Sequence, residues 1–193
     1  MPDGRISQHL AGAVFMDRDG TVSEEGGYMY HAGLFRPFPW TAEAIRKIND
    51  SGMKAILTTN QSGIARGYFK EEMVHQVHGI LHAELQRREA HLDAIYYCPH
   101  APDGNCECRK PKPGMILRAA REMDLDLSRS FMIGDRYLDV QAAHSAGVRS
   151  VLVRSGDGAG EVAKYADQSV PQPIHVADNL LRAVEAILSW QVA

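Results

Sequence analysis

The chain has 193 residues, 45% hydrophobic and 23% charged, which suits a globular domain with a substantial core and excludes a disordered segment. A formal net charge of -3 and a pI near 6.3 leave no basic surplus to neutralise a nucleic-acid backbone, so nucleic acid is not an expected partner. The opening MPDGRISQHLAGAVFMDRDG holds one brief apolar run, interrupted by Asp17, which forms neither a signal-peptide core nor a membrane span; a cytosolic protein is expected, with no membrane partner.

In chain order, β-rich apolar runs alternate with helical patterns, the sign of an α/β domain on a mainly parallel, Rossmann-like sheet with helices on both faces. The first run is AVFM at 13–16. A helix follows, with Thr41 as N-cap, Ala44, Ile45 and Ile48 on its apolar face, and Gly52 at its end. AIL at 55–57 is the second strand and leads into TTN, after which Met73, Val77, Leu81 and Leu85 mark a helical stripe. IYY at 95–97 is the third strand, and Pro113 opens the next helix as its first residue. FMI at 131–133 and SVLV at 150–153 complete the strands. Residues 155–173, rich in Gly, Ser, Asp and Pro, read as a long surface loop. A final helix begins near Asp178 and shows Leu180, Leu181, Val184, Ile187 and Leu188 on one face. Core packing accounts for these stripes. No repeat or second domain is visible, so residues 1–193 are expected to form one domain.

Ligands of open parallel sheets bind beyond the carboxyl ends of the strands. Three strand ends carry chemically loaded tails, Asp17-Arg18-Asp19-Gly20-Thr21, Thr58-Thr59-Asn60-Gln61-Ser62-Gly63 and Gly134-Asp135-Arg136-Tyr137-Leu138-Asp139. One Asp after a strand is commonly a turn or cap residue. Four carboxylates and a Thr-Asn pair at several strand ends exceed what caps require. Carboxylates gathered on one rim repel unless a cation sits among them, and an oxygen-rich site of this kind suits Mg²⁺ completed by a phosphate.

All three cysteines fall in CPHAPDGNCECRKPKPG, residues 98–114. Three thiols cannot all pair, and cytosolic thiols stay reduced, so disulfides do not explain the cluster. Cys98, His100, Cys106 and Cys108 instead form C-x-H-x5-C-x-C, a complete tetrahedral ligand set for structural Zn²⁺. Such an ion would staple the loop 98–108, which has little apolar material to fold around. Arg109 and Lys110 follow the last ligand at once, so the zinc would aim two cations at the strand-end carboxylates, with Pro111 and Pro113 stiffening the exit.

DRDGT at 17–21 matches the D-x-D-G-T motif of the haloacid dehalogenase-like phosphatases, and Thr59, Lys110 and GDRYLD at 134–139 fit their second, third and fourth motifs. The chain resembles that superfamily over nearly its whole length. The resemblance implies that Asp17 is the nucleophile and Asp19 the general acid and base. Carboxylate chemistry agrees, because attack on phosphorus gives an aspartyl-phosphate that hydrolyses readily, and a second carboxyl two residues on can serve the leaving oxygen and then water. Mg²⁺ would be held by Asp17, the Asp19 main-chain carbonyl and Asp135. Thr59 and the Asn60 backbone would donate to phosphoryl oxygens, Lys110 would add positive charge, and Asp139 would orient a metal-bound water or Arg136.

Within the superfamily, DRDGT, GGYMYH near 26–31, TTNQSGIARG at 58–67, IYYCPH at 95–100, CRKPKPGM at 108–115 and LVRSG at 152–156 resemble the D-glycero-D-manno-heptose 1,7-bisphosphate phosphatases. That resemblance implies a cytosolic monomer without a large cap domain, acting on a small phosphorylated sugar. Glu25, Gly26, Gly27 and Tyr28 would line the substrate site, together with Arg18, Asn60, Gln61, Ser62, Arg109 and Arg136. The loop from His100 to Cys106 is shorter than in some members. A histidinol-phosphate phosphatase shares the fold, zinc loop and chemistry and is the close alternative; a non-enzymatic zinc-binding interaction module is the distant one.

Overall fold

The four residues of β1, Ala13–Met16, are fully buried because helices cover both faces of the sheet that contains them. A computed structural model of the chain describes residues 10–27, 31–166 and 168–191. β1 pairs in parallel with β2 (Lys54–Asn60) on one side and β4 (Phe131–Gly134) on the other. With β3 (Ala94–Cys98), β5 (Arg149–Val153) and β6 (His175–Ala177), the order is β3-β2-β1-β4-β5-β6, and every pair is parallel. This is the doubly wound arrangement, with its switch point at β1 and β4.

Alternation along the strands divides the core in two. On one face Val14, Met16, Leu57 and Ile133 pack with Ile45 and Ile48 of α1 (Thr41–Asp50), Leu81 of α2 (Glu71–Gln86), and Val184 and Ile187 of α6 (Leu180–Ser189). On the other, Ala13, Phe15, Ile56 and Met132 meet Ile116 of α3 (Gly114–Met123) and Ala142 and Ala143 of α4 (Tyr137–Ser145). Each fully buried isoleucine contributes about 1.5–3 kcal/mol. Met16, the last residue of β1, lies opposite both Leu57 and Ile133, so β1 and β4 end within one residue of each other while β2 runs three residues further. That register brings Asp17, Thr59 and Asp135 to one rim.

Several local expectations change. Thr41 is the first residue of α1 and not its cap; its hydroxyl donates to the Val22 carbonyl at 2.6 Å and ties the helix to the loop after β1. Pro113 sits at the cap position, one residue before α3 begins. The stretch expected to be a loop at 155–173 contains α5 (Gly158–Tyr165), whose Tyr165 ring stacks on Tyr137 at 4.2 Å. β2 runs on through Thr58, Thr59 and Asn60, so these residues belong to the strand itself. Among the described residues no helix is long and apolar enough to cross a membrane.

Candidate active site

Asp17 is the first residue beyond β1, anchored by its own amide, which donates to the Ile133 carbonyl of β4 at 2.9 Å. Lys110 arrives from the opposite side, on the cysteine-bearing loop. Its Nζ stands 2.8 Å from Asp17 Oδ1 and 2.7 Å from Asp139 Oδ1, and donates to the Thr58 carbonyl at 2.9 Å. Lys110 is 3% exposed. Burial works against its charge, but Asp139 and Asp17 outweigh that effect and hold its pKa above the ordinary lysine value. The Lys110 main chain is fixed as well: the Asn60 side chain donates to its carbonyl and accepts from its amide, both at 3.1 Å.

Asp135, beyond β4, completes a group of three carboxylates with Asp17 and Asp139 whose oxygens lie within 4.8 Å of one another. Asp135 is fully buried; its Oδ2 accepts from the Asp157 amide at 2.9 Å, but its Oδ1 has no hydrogen-bond partner among the described residues. Burial first, then the charges of Asp17 and Asp139, push its pKa up to about 8. A buried carboxylate oxygen left over beside other carboxylates fits a hard divalent cation with oxygen ligands. The backbone is shaped around it. A Cβ on Gly20 (φ +80°) would lie 2.1 Å from Asp135 Oδ2, and one on Gly156 (φ +59°) 2.3 Å, so no other residue fits at either position.

Asp19 lies on the cavity side of this group. Both its oxygens face Arg18, with Nε at 3.0 Å and Nη2 at 2.8 Å, and Oδ2 also accepts from Gln61 Nε2 at 3.2 Å. Gln61 Nε2 donates in addition to Thr59 Oγ1 at 2.9 Å. Asp139 Oδ2 accepts from the Arg136 amide at 3.2 Å, so this carboxylate orients both Lys110 and the Arg136 backbone. The Arg136 guanidinium pairs with Asp157 at 2.5 Å and Glu25 at 3.5 Å. Burial, then the nearby Asp19, raises the Glu25 pKa.

A cavity of about 300 Å³ opens over these residues. Of the sequence-expected contacts, Arg18, Glu25, Gly27, Asn60, Gln61, Ser62, Arg109 and Arg136 line it. Gly26 is not among its lining, and Tyr28 falls outside the described residues. The opposite wall is apolar: Phe69, Met73, Val74 and Val77. Met73 and Val77 were read only as core positions. A helical stripe cannot show from sequence which of its members faces a cavity. Asp157 and Ser155 were also missed; the Ser155 hydroxyl donates to the Gly20 carbonyl at 2.7 Å, and the LVRSG similarity at 152–156 reaches Ser155 but stops short of Asp157.

The cysteine loop holds its four donors together. Cys98–Cys106 and Cys106–Cys108 sulfurs are 3.6 Å apart, and His100 Nδ1 lies 3.5 Å from Cys98 Sγ and 3.3 Å from Cys108 Sγ. Zinc ligated at about 2.3 Å by sulfur and about 2.0 Å by nitrogen has tetrahedral edges of about 3.8 and 3.5 Å, close to these gaps. Arg109 Nη1 donates to the His100 carbonyl at 3.3 Å, so the loop orients this side chain too.

The HAD-hydrolase-like family model matches residues 107–183. A D-glycero-beta-D-manno-heptose-1,7-bisphosphate 7-phosphatase from Photorhabdus laumondii is 42% identical over 183 residues, covering 91% of this chain and 96% of its own. The chain belongs to that 7-phosphatase family. The family member from Escherichia coli K12 is 41% identical over 152 residues, covering 75% of this chain and 80% of its own. In three dimensions the chain is similar to D,D-heptose 1,7-bisphosphate phosphatase from B. bronchiseptica, whose crystal structure is complexed with magnesium and phosphate; the TM-score is 0.86 at 33% identity, over 93% of this chain and 99% of that one.

Proposed function

We propose that the chain is a Mg²⁺-dependent phosphatase that removes the C7 phosphate of D-glycero-D-manno-heptose 1,7-bisphosphate through an aspartyl-phosphate on Asp17. The observation that carries this reading is the Asp17 carboxylate, held at a strand end between Lys110 and Asp135 and facing a cavity lined by Arg109 and Arg136. Asp17 and Asp135, with the Asp19 main-chain carbonyl, would hold Mg²⁺, which neutralises charge on the phosphoryl group when bound.

Asp17 attacks phosphorus, and Asp19 gives its proton to the departing sugar oxygen. Asp19 then takes a proton from the water that attacks phosphorus, and the bond to Asp17 breaks. Thr59 and the Asn60 amide donate to phosphoryl oxygens, and Lys110 supplies positive charge beside them. Arg109, with Glu25, Ser62 and Arg136, reads the rest of the sugar bisphosphate. The names of the relatives favour the heptose over histidinol phosphate.

Cys98, His100, Cys106 and Cys108 would hold a structural zinc that fixes the direction of Arg109 and Lys110. Elemental analysis should find one zinc per chain, and Cys106→Ser should lose both the metal and most activity. A zinc-free preparation with full activity would contradict this. The activity itself is tested by ³¹P NMR of the bisphosphate incubated with enzyme and Mg²⁺: the C7 signal should disappear while the C1 signal persists, and failure of phosphate release would overturn the reading.

A further inference from the structure

We propose that Arg18 is a positioning residue: its guanidinium, aided by Gln61, orients the Asp19 carboxylate and stabilises the negative charge that forms on it during the reaction. The family resemblance implies a substrate-binding role for Arg18. Its geometry points elsewhere. Nε and Nη2 grip Oδ1 and Oδ2 of Asp19 at 3.0 and 2.8 Å, the two-pronged pairing in which a guanidinium fixes the plane of a carboxylate. Both residues line the cavity, but the Arg18 side chain is 3% exposed and that of Asp19 21%, so the carboxylate presents more of its surface to the cavity and most of the guanidinium is covered.

The rest of the cluster is arranged around the same carboxylate. Gln61 Nε2 bridges Asp19 Oδ2 and Thr59 Oγ1, and the Arg18 amide donates to Asp17 Oδ1 at 2.7 Å. Asp19 Oδ2 accepts from both Arg18 and Gln61, whereas Oδ1 accepts one Arg18 hydrogen and keeps a second lone pair for a proton in transit. This inference rests on the phosphatase reading above. In the first half-reaction the bond from phosphorus to the sugar oxygen breaks, that oxygen receives the proton of Asp19, and a carboxylate appears where Arg18 waits. In the second, the same carboxylate takes the proton of the attacking water while the bond from phosphorus to Asp17 breaks, which restores the starting state. Arg18 is complementary to the ionised Asp19 that each step passes through.

Leaving-group dependence separates this role from substrate binding and from a merely structural one. A sugar alkoxide needs a proton to depart, whereas p-nitrophenolate does not. We would measure kcat and KM of wild type, Arg18→Gln, Arg18→Lys and Gln61→Met on heptose 1,7-bisphosphate and on p-nitrophenyl phosphate. General acid-base catalysis contributes about 10²–10⁴-fold, so Arg18→Gln should lower kcat/KM on the bisphosphate roughly tenfold or more beyond its effect on p-nitrophenyl phosphate. KM for the bisphosphate should barely move, and kcat should fall on both substrates because the water step is shared. Arg18→Lys, which keeps the charge but not the fork, should recover part of the loss. Gln61→Met, which removes one donor and no charge, should show the same split on a smaller scale, and it carries the comparison if Arg18→Gln is unfolded. Equal losses in kcat/KM on the two substrates, or a loss confined to KM of the bisphosphate, would overturn the role of Arg18. Wild-type enzyme that releases phosphate from neither substrate would instead sink the phosphatase reading itself.

Discussion

Lys110 Nζ lies 2.8 Å from Asp17 Oδ1, joining a residue of the cysteine loop to the carboxylate beyond the first strand. The same ammonium meets Asp139 at 2.7 Å, and all three residues are buried. Lys110 is therefore a strut as well as a charge.

Lys110→Met should damage stability and activity together. It leaves Asp17 and Asp139 as buried carboxylates without their cation, and breaking a buried pair from one side costs about 3–5 kcal/mol. Adding Asp139→Asn removes one of the stranded charges, so the double variant should regain part of the stability while staying inactive. Urea unfolding and phosphate-release assays on the single and double variants check this. A single variant as stable as wild type would show that the pair contributes nothing to the fold.

What the sequence disclosed follows the range of the interactions involved. AVFM at 13–16 read correctly because a strand covered on both faces is a continuous apolar run. The cluster of three cysteines and one histidine was legible because all four lie within eleven residues, 98 to 108. α5 was not, since its GAGEVAKY segment is Gly-rich and depends on distant contacts: Glu161 accepts from the Tyr137 amide at 2.7 Å, and Tyr165 stacks on Tyr137. The three-residue edge strand β6 is too short for any periodicity. Asn60 was expected to serve substrate through its backbone; that its side chain also clamps Lys110, 50 positions away, is a contact no local pattern encodes.

Arg109 should discriminate between one phosphate and two. In the proposed mechanism Mg²⁺ and Lys110 would serve the phosphoryl group being transferred, and Arg109, on the cavity wall and bonded to the His100 carbonyl, would serve the other. Arg109→Ala should lower kcat/KM on heptose 1,7-bisphosphate by about tenfold or more, the value of a charged hydrogen bond of about 1.5–3 kcal/mol, with a much smaller loss on a sugar monophosphate. Equal losses on both substrates would remove Arg109 from recognition of the second phosphate.

His78 should make the fold sensitive to acid. It is 6% exposed on α2, its Nε2 has no hydrogen-bond partner among the described residues, and burial, then the charge of Arg18, lowers its pKa from 6.5 to about 3, with His75 and His82 acting in the same direction. Its ring also packs near Tyr97, with centroids 6.0 Å apart. The folded chain keeps His78 neutral, whereas the unfolded chain protonates it below about pH 6.5. The unfolded state then binds the extra proton, so stability is lost as pH falls from 6.5 toward 3. Between pH 7 and pH 5 the loss from this residue is roughly 2 kcal/mol. His78→Met should flatten the pH dependence of urea unfolding by about that amount. An unchanged slope would mean that His78 is protonated in the folded protein.

Covalent catalysis by Asp17 is tested most directly by acid quench during turnover of heptose 1,7-bisphosphate, followed by mass spectrometry of the peptide that contains Asp17. A phosphoryl group on Asp17 is expected in wild type and absent in Asp17→Asn, which should be inactive, while Asp19→Asn should slow both formation and hydrolysis of the phosphoenzyme. An unmodified Asp17 in all samples, together with substantial turnover by Asp17→Asn, would contradict the mechanism.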